Sequence, residues 1–171
     1  MGDNSDGSGR TGDVSGKVDV DFRIVDVPDQ SLAVVTGQVP VAELRSFFDR
    51  AFQDLSRGMA DGGFEPSGPP LSLYRGVPVE AADLEVGFPV LGSVRPSGPV
   101  AEGRIPASRA VMTVHRGNYD ALGDSWGRLA EWARRQELVL DELLWEVYVT
   151  EPHPGDDPKD MVTELYWALR P

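Results

Sequence analysis

The chain has no cysteine among its 171 residues. That excludes a disulfide scaffold, a thiolate metal site and a cysteine nucleophile. It is poor in positive charge, with 16 Lys and Arg against 28 Asp and Glu and a formal net charge of −12. Nucleic-acid binding depends on neutralising phosphates, so no nucleic-acid partner is expected. Arg134-Arg135 is the only adjacent basic pair. It falls near the end of a predicted helix, where cations are favourable anyway. No stretch approaches the ~18 consecutive apolar residues of a membrane span. The polar stretch from Met1 to Asp21 has no apolar signal core, and a cytoplasmic location is expected. His115 and His153 are the only histidines, too few and too far apart for a metal centre. No Gly-rich phosphate cradle is present. Neither metal nor cofactor is expected.

What is present suits one domain, or two small halves sharing a core. Residues 1–18 are mostly Gly, Ser and Asp and predict a disordered tail, leaving no room there for a helix-turn-helix. Val20, Phe22 and Ile24 then suggest a first strand, and Ser31–Gly37 a second. Pro40 opens a helix in which Val41, Leu44, Phe47, Phe48, Ala51, Phe52 and Leu55 recur at helical spacing. Gly62-Gly63 ends it. Leu71–Tyr74 and Asp83–Val90 are strands, the latter with Leu84, Val86, Phe88 and Val90 on one face.

The same order returns after Gly98-Pro99. Val100–Ile105 and Ala110–Val114 are strands. Tyr119–Glu137 is a helix with Leu122, Trp126, Leu129, Trp132 and Ala133 buried. Gly123 and Gly127 read as close-packing points. Leu143–Thr150 and Val162–Leu169 close the chain. The halves are about 19–95 and 99–171, each strand-strand-helix-strand-strand. Ala33–Thr36 overlays Ala110–Thr113, Tyr74 overlays Tyr148, and Glu85 overlays Glu164. The expected fold is α+β: duplicated β-α-β-β modules with pseudo-twofold symmetry, antiparallel sheets with one main helix each, and a cleft where the open faces meet. Ser72 is then the counterpart of Glu146, so the cleft holds one carboxylate, offset from the pseudo-axis.

Glu146 is the residue that stands out. It sits in Leu143-Leu144-Trp145-Glu146-Val147-Tyr148-Val149-Thr150, a strand pattern in which Glu is unusual. Alternation puts Leu144, Glu146 and Tyr148 on one face and Trp145 on the other, under a helix. A desolvated carboxylate among aromatics suits a flat organic cation. Tyr148, Tyr74, Tyr119, Tyr166, Trp167 and Phe88 are the candidate walls, though parity lets only one of Tyr166 and Trp167 face the cleft. Trp126 and Trp132 read as core. Glu85 and Glu164 are either second acids or solvated. His115 reads as structural and His153 as solvated.

His115-Arg116-Gly117-Asn118-Tyr119, followed by Leu122 and the Trp126/Trp132 helix, resembles the strand-to-helix turn of GyrI-like small-molecule-binding domains. Such domains also form the effector-binding half of AraC-type and BmrR-type regulators. Trp145-Glu146-Val147-Tyr148, a Pro-rich loop and the closing Thr163-Glu164-Leu165 are similar to that family's C-terminal signature. Asn118 stands where the family usually has Pro. The resemblance covers residues 18–171. It implies a duplicated fold with a pocket for flat, apolar, often cationic compounds, with Glu146 as its central acid and Tyr148 as its tyrosine. It also implies a standalone member, without the regulators' DNA-binding domain. Two functions follow as expectations. One is multidrug-type binding or sensing. The other is hydrolysis of cyclopropane-bearing or other strained electrophiles, with Glu146 and Tyr148 catalytic. A protein-interaction role, as in the gyrase-inhibiting member, is the third reading.

Overall fold

The computed structural model describes residues 21–151 and 153–171. The predicted tail of residues 1–18 and Val20 lie outside them.

The first half contains β1 (Arg23–Val27), β2 (Gln30–Pro40), α1 (Leu44–Ala60), β3 (Glu65–Pro66), β4 (Leu71–Arg75) and β5 (Ala81–Leu91). The second contains β6 (Val100–Ile105), β7 (Ser108–Arg116), α2 (Leu122–Arg135), β8 (Leu140–Tyr148) and β9 (Val162–Leu169). Each helix is entered through a three-residue 3-10 turn, Val41–Glu43 and Tyr119–Ala121. The helices therefore start a turn later than Pro40 and Tyr119 suggested. α1 stops where Gly62 takes a φ of 72° and Gly63 N–H donates to the Gly58 carbonyl. That left-handed position suits Gly. At the matching end of α2, Glu137 takes it instead, with φ 56°.

Among the described residues the strands form one antiparallel sheet, in the order β1-β7-β9-β8-β4-β5-β2-β6. The order is a palindrome under exchange of the halves, which defines a pseudo-twofold axis between β4 and β8. The pairing registers coincide when Ser72 is laid on Glu146, Glu85 on Glu164 and Gly37 on His115. Ser72 and Glu146 are themselves directly opposite. The single acid thus stands to one side of the axis, with Ser72 on the other. The Ala33–Thr36 overlay is corrected by one residue, to Val111–Val114. Ala33 faces α1, whereas Ala110 faces the other way, and a one-residue slip exchanges faces.

Two expectations give way. The halves do not form the cleft between their helix-free faces, which meet as packed core instead. They share an edge, β4 against β8, and both helices lie on the same side. Nor is each half a closed four-stranded unit, because β1 pairs with β7 and β6 with β2, each in the opposite half. Two-residue links join β1 to β2 and β6 to β7, although each pair spans almost the whole sheet. The sheet must curl until its ends meet.

The curl explains the two cores. On the helix-covered face, Phe47, Ala51 and Leu55 of α1 pack on Ala33, Val35, Leu84 and Val86. Leu129 and Ala133 of α2 pack on Val111 and Leu165. The opposite face is buried by strands alone, with Leu32, Val34, Leu73, Ile105, Leu143 and Trp145 meeting inside the curl. Burying each such side chain contributes roughly 1.5–3 kcal/mol. Trp145, expected under a helix, lies in this second core.

Candidate functional site

The sheet places Ser72 on β4 and Glu146 and Tyr148 on β8 at the pseudo-axis, on the helix-covered face. Both helices border that spot. Between them opens a cavity of about 640 Å³, lined by Phe48 and Phe52 of α1, Tyr119 and Leu122 at the start of α2, Tyr74, Glu146 and Tyr148. Arg45, Asp49 and Glu151 also border it. The cleft is therefore a gap between the helices above the β4–β8 seam.

Glu146 is 8% exposed. Its Oε1 accepts from Trp126 Nε1–H at 3.0 Å, and its Oε2 accepts from the Tyr148 hydroxyl at 2.7 Å. Ser72 Oγ lies 2.6 Å from the Tyr148 oxygen. The phenol has one proton and gives it to Glu146, so the Ser72 hydroxyl donates to Tyr148. Among the described residues no Lys or Arg forms an ion pair with Glu146. Burial pushes its carboxyl above the usual range, and the Trp126 and Tyr148 bonds and the nearby His115 ring oppose that rise. Burial and the Glu146 charge also raise the phenols of Tyr148, Tyr74 and Tyr119. Tyr119 meets the Tyr148 ring edge-on, centroids 5.7 Å apart. A buried acid with two neutral donors and aromatic neighbours can accept a cation, or a proton from a reacting group.

Four of the sequence candidates, Glu146, Tyr148, Tyr74 and Tyr119, line this cavity. Three do not. Tyr166 lies on the opposite face, stacked on Trp145 with centroids 5.2 Å apart, and its hydroxyl donates to Glu164. Trp167 shares Glu146's face but is tucked beneath α2, edge-on to Trp126, with its N–H on the Asp141 carbonyl at 2.7 Å. Phe88 packs between Phe52 and Phe64 in the α1 core. Glu85 and Glu164 pair with Leu73 and Val147, on the face away from Glu146. Trp126, read as core, holds the acid. Trp132 packs on Phe22.

Phe48, Phe52 and Ser72 escaped the sequence reading as site residues. The missed signal was the overlay carried into the helices, which lays Phe48 on Trp126. His153 is exposed. His115 is 4% exposed, its Nε2 on the Asn118 carbonyl at 2.8 Å and its Nδ1 on Ser125 Oγ at 2.7 Å. Among the described residues no cluster of three potential metal ligands occurs, and no helix is long and apolar enough to cross a membrane.

A duplicated, curled α+β domain with a cavity between its helices defines a small-molecule-binding class. The GyrI-like small molecule binding domain matches residues 21–170, and the chain belongs to that family. A search of curated proteins gives no match. The EcmrR C-terminal domain is similar, with TM-score 0.74 at 17% identity over 88% of this chain and 97% of that one. In a cryo-EM EcmrR–DNA complex the likeness has TM-score 0.75 at 19% identity over 87% of this chain, which spans 57% of the EcmrR chain. SAV2435 bound to tetraphenylphosphonium has TM-score 0.66 at 11% identity, covering 88% of this chain and 94% of that one. A hydrolase from Listeria innocua has TM-score 0.64 at 15% identity, covering 88% of this chain and 92% of that one. At these identities the likenesses establish the fold.

Proposed function

We propose that the domain binds flat, apolar, positively charged small molecules between its helices, with Glu146 as charge partner. One observation carries this reading. A buried carboxylate, held by two neutral donors and in no ion pair with a Lys or Arg among the described residues, faces an aromatic-walled cavity. A ligand cation supplies the missing charge. Tyr119, Tyr148, Phe48 and Phe52 supply faces and edges, each cation–π contact worth roughly 0.5–2 kcal/mol. The tetraphenylphosphonium carried by SAV2435 is an apolar aromatic cation, tetrahedral and not flat, and supports the pairing of positive charge with aromatic surface.

Unit charges about 4 Å apart attract by about 4 kcal/mol at an effective dielectric near 20. Desolvation of the ligand offsets part of this. Glu146→Gln should therefore weaken a planar cationic dye about 10- to 100-fold and leave a neutral analogue of the same shape nearly unaffected. Fluorescence titration of both compounds against both proteins measures this. Equal loss for both compounds would remove the charge-partner role.

A second reading rests on the Tyr148–Glu146 hydrogen bond. Ionised Glu146 beside a phenol can take a proton from water as its oxygen bonds a strained electrophilic carbon, and the carbon released by the broken ring bond takes a proton from solvent, so that one water is added overall. The fold likeness to a Listeria innocua hydrolase makes this worth testing. Mass spectrometry of a cyclopropane-bearing electrophile incubated with the protein should then show addition of water, abolished by Glu146→Gln while binding survives.

A further inference from the structure

The molecule contains its own control experiment. Superposing the pairing registers lays Val35 on Thr113, Gly37 on His115 and Leu84 on Thr163. The same step carries the 3-10 turn Val41–Glu43 onto Tyr119–Ala121 and Phe47 onto Ser125. In the first half these positions are apolar, and the Phe47 ring lies directly on Gly37, where an added Cβ would meet it at 2.6 Å. In the second half all four are polar and buried. The fold closes over these positions without polar groups, so folding does not explain them. Among the described residues two of the four even lack partners, since the buried hydroxyls of Thr113 and Thr163 make no hydrogen bond there.

The polar half is the one that holds Glu146 from above. His115 Nε2–H donates to the carbonyl of Asn118, the residue before Tyr119. Its Nδ1 accepts from the hydroxyl of Ser125, the residue before Trp126. Arg128 donates to the same Ser125 oxygen at 2.9 Å. His115 thereby ties down the neighbours of both aromatics that flank the acid: Trp126, which bonds it, and Tyr119, which closes on Tyr148. Thr163 is directly opposite both Tyr148 and His115, so its unpartnered hydroxyl stands in register between the partner of Glu146 and the imidazole without bonding either.

We propose that Thr113, His115, Ser125 and Thr163 are positioning residues that keep Glu146 ionisable and aimed into the cavity. Their role concerns the acid and not the fold. The inference rests on the reading of Glu146 as the ligand's charge partner. Glu146 faces Trp126 of α2, Tyr119 at its start, Tyr74 and Ser72 of β4, Tyr148 of β8 and the cavity-side Arg45 and Asp49 of α1, with His115 of β7 behind. Of these surroundings the polar cluster is what the first half shows to be dispensable for packing.

The test copies the first half into the second. His115→Gly with Ser125→Phe reproduces the Gly37–Phe47 packing, and Thr163→Val removes one unpartnered hydroxyl at nearly constant shape. The Glu146 carboxyl is followed by its 13C resonance against pH in ligand-free protein. Affinity for an acridinium dye is measured over the same range. The expected result for both variants is a folded protein, a Glu146 midpoint raised by about one pH unit and dye affinity at neutral pH reduced about tenfold. Thr163→Val should also melt no lower than wild type. A folded variant with an unmoved Glu146 midpoint would overturn the proposal, as would a Thr163→Val that melts lower with its midpoint unchanged. If the double variant does not fold, Thr163→Val and His115→Gln carry the same readouts. Absence of dye binding by wild type would sink the charge-partner reading alone, because the carboxyl titration needs no ligand.

Discussion

Glu146 makes the unliganded protein pay for its own site. An acid whose carboxyl is raised by burial binds more protons folded than unfolded, between its ordinary value and its raised one. Stability must then fall as pH climbs through that window. Glu146→Gln removes the term. Its amide can donate to the Tyr148 oxygen while its carbonyl accepts from Trp126, and Tyr148 can turn its proton to Ser72. The melting temperature of the variant should therefore rise relative to wild type as pH climbs above the ordinary carboxylate range, the difference growing until the raised folded-state midpoint is passed. Calorimetry at several pH values checks the sign. Cation binding carries the opposite dependence. The ligand needs the ionised acid, so affinity should increase with pH up to the free-state midpoint, with proton release measurable in buffers of differing ionisation heat.

At the scale of elements, glycine sits where it is not needed and is missing where it is. Gly123 and Gly127 read as close-packing points, yet an added Cβ at either would meet nothing within 4 Å. Both face open space, and Gly127→Ala should stabilise α2 by roughly 0.5–1 kcal/mol. Glu137 holds a left-handed φ of 56°, and Glu137→Gly should relieve roughly 1 kcal/mol of backbone strain. Denaturant melts of each variant measure both. Strands and helices were legible in the sequence because alternation and helical spacing are local. Faces were less so. Parity sorted Trp145 from Glu146 and allowed only one of Tyr166 and Trp167 at the cleft. It could not show that the one on the right face, Trp167, is roofed by α2. Phe88 has the right parity and the wrong position along its strand, which only the register with β2 and β4 reveals. The Ala-Val similarity of β2 and β7 drew the overlay one residue out of step, and that slip hid the correspondence of Gly37 with His115.

The molecule as a whole is held by exchange. Each half contributes its first strand to the other, and the β4–β8 seam runs through the site. Neither half is closed alone, so unfolding should be a single transition. All four tryptophans, Trp126, Trp132, Trp145 and Trp167, lie in the second half, so their fluorescence reports that half, while far-ultraviolet circular dichroism reports both. The two denaturation curves should coincide. Separation of their midpoints would show that the halves melt independently. The same exchange constrains the ribosome. When β5 leaves the exit tunnel, β1 has no partner, β2 lacks β6 and β4 lacks β8. A nascent first half therefore carries two bare strand edges and an unanchored segment. It cannot finish folding until residues near the end of the message are translated, and the cavity forms late because its floor needs β8 and the seat of α2 on Leu165 needs β9.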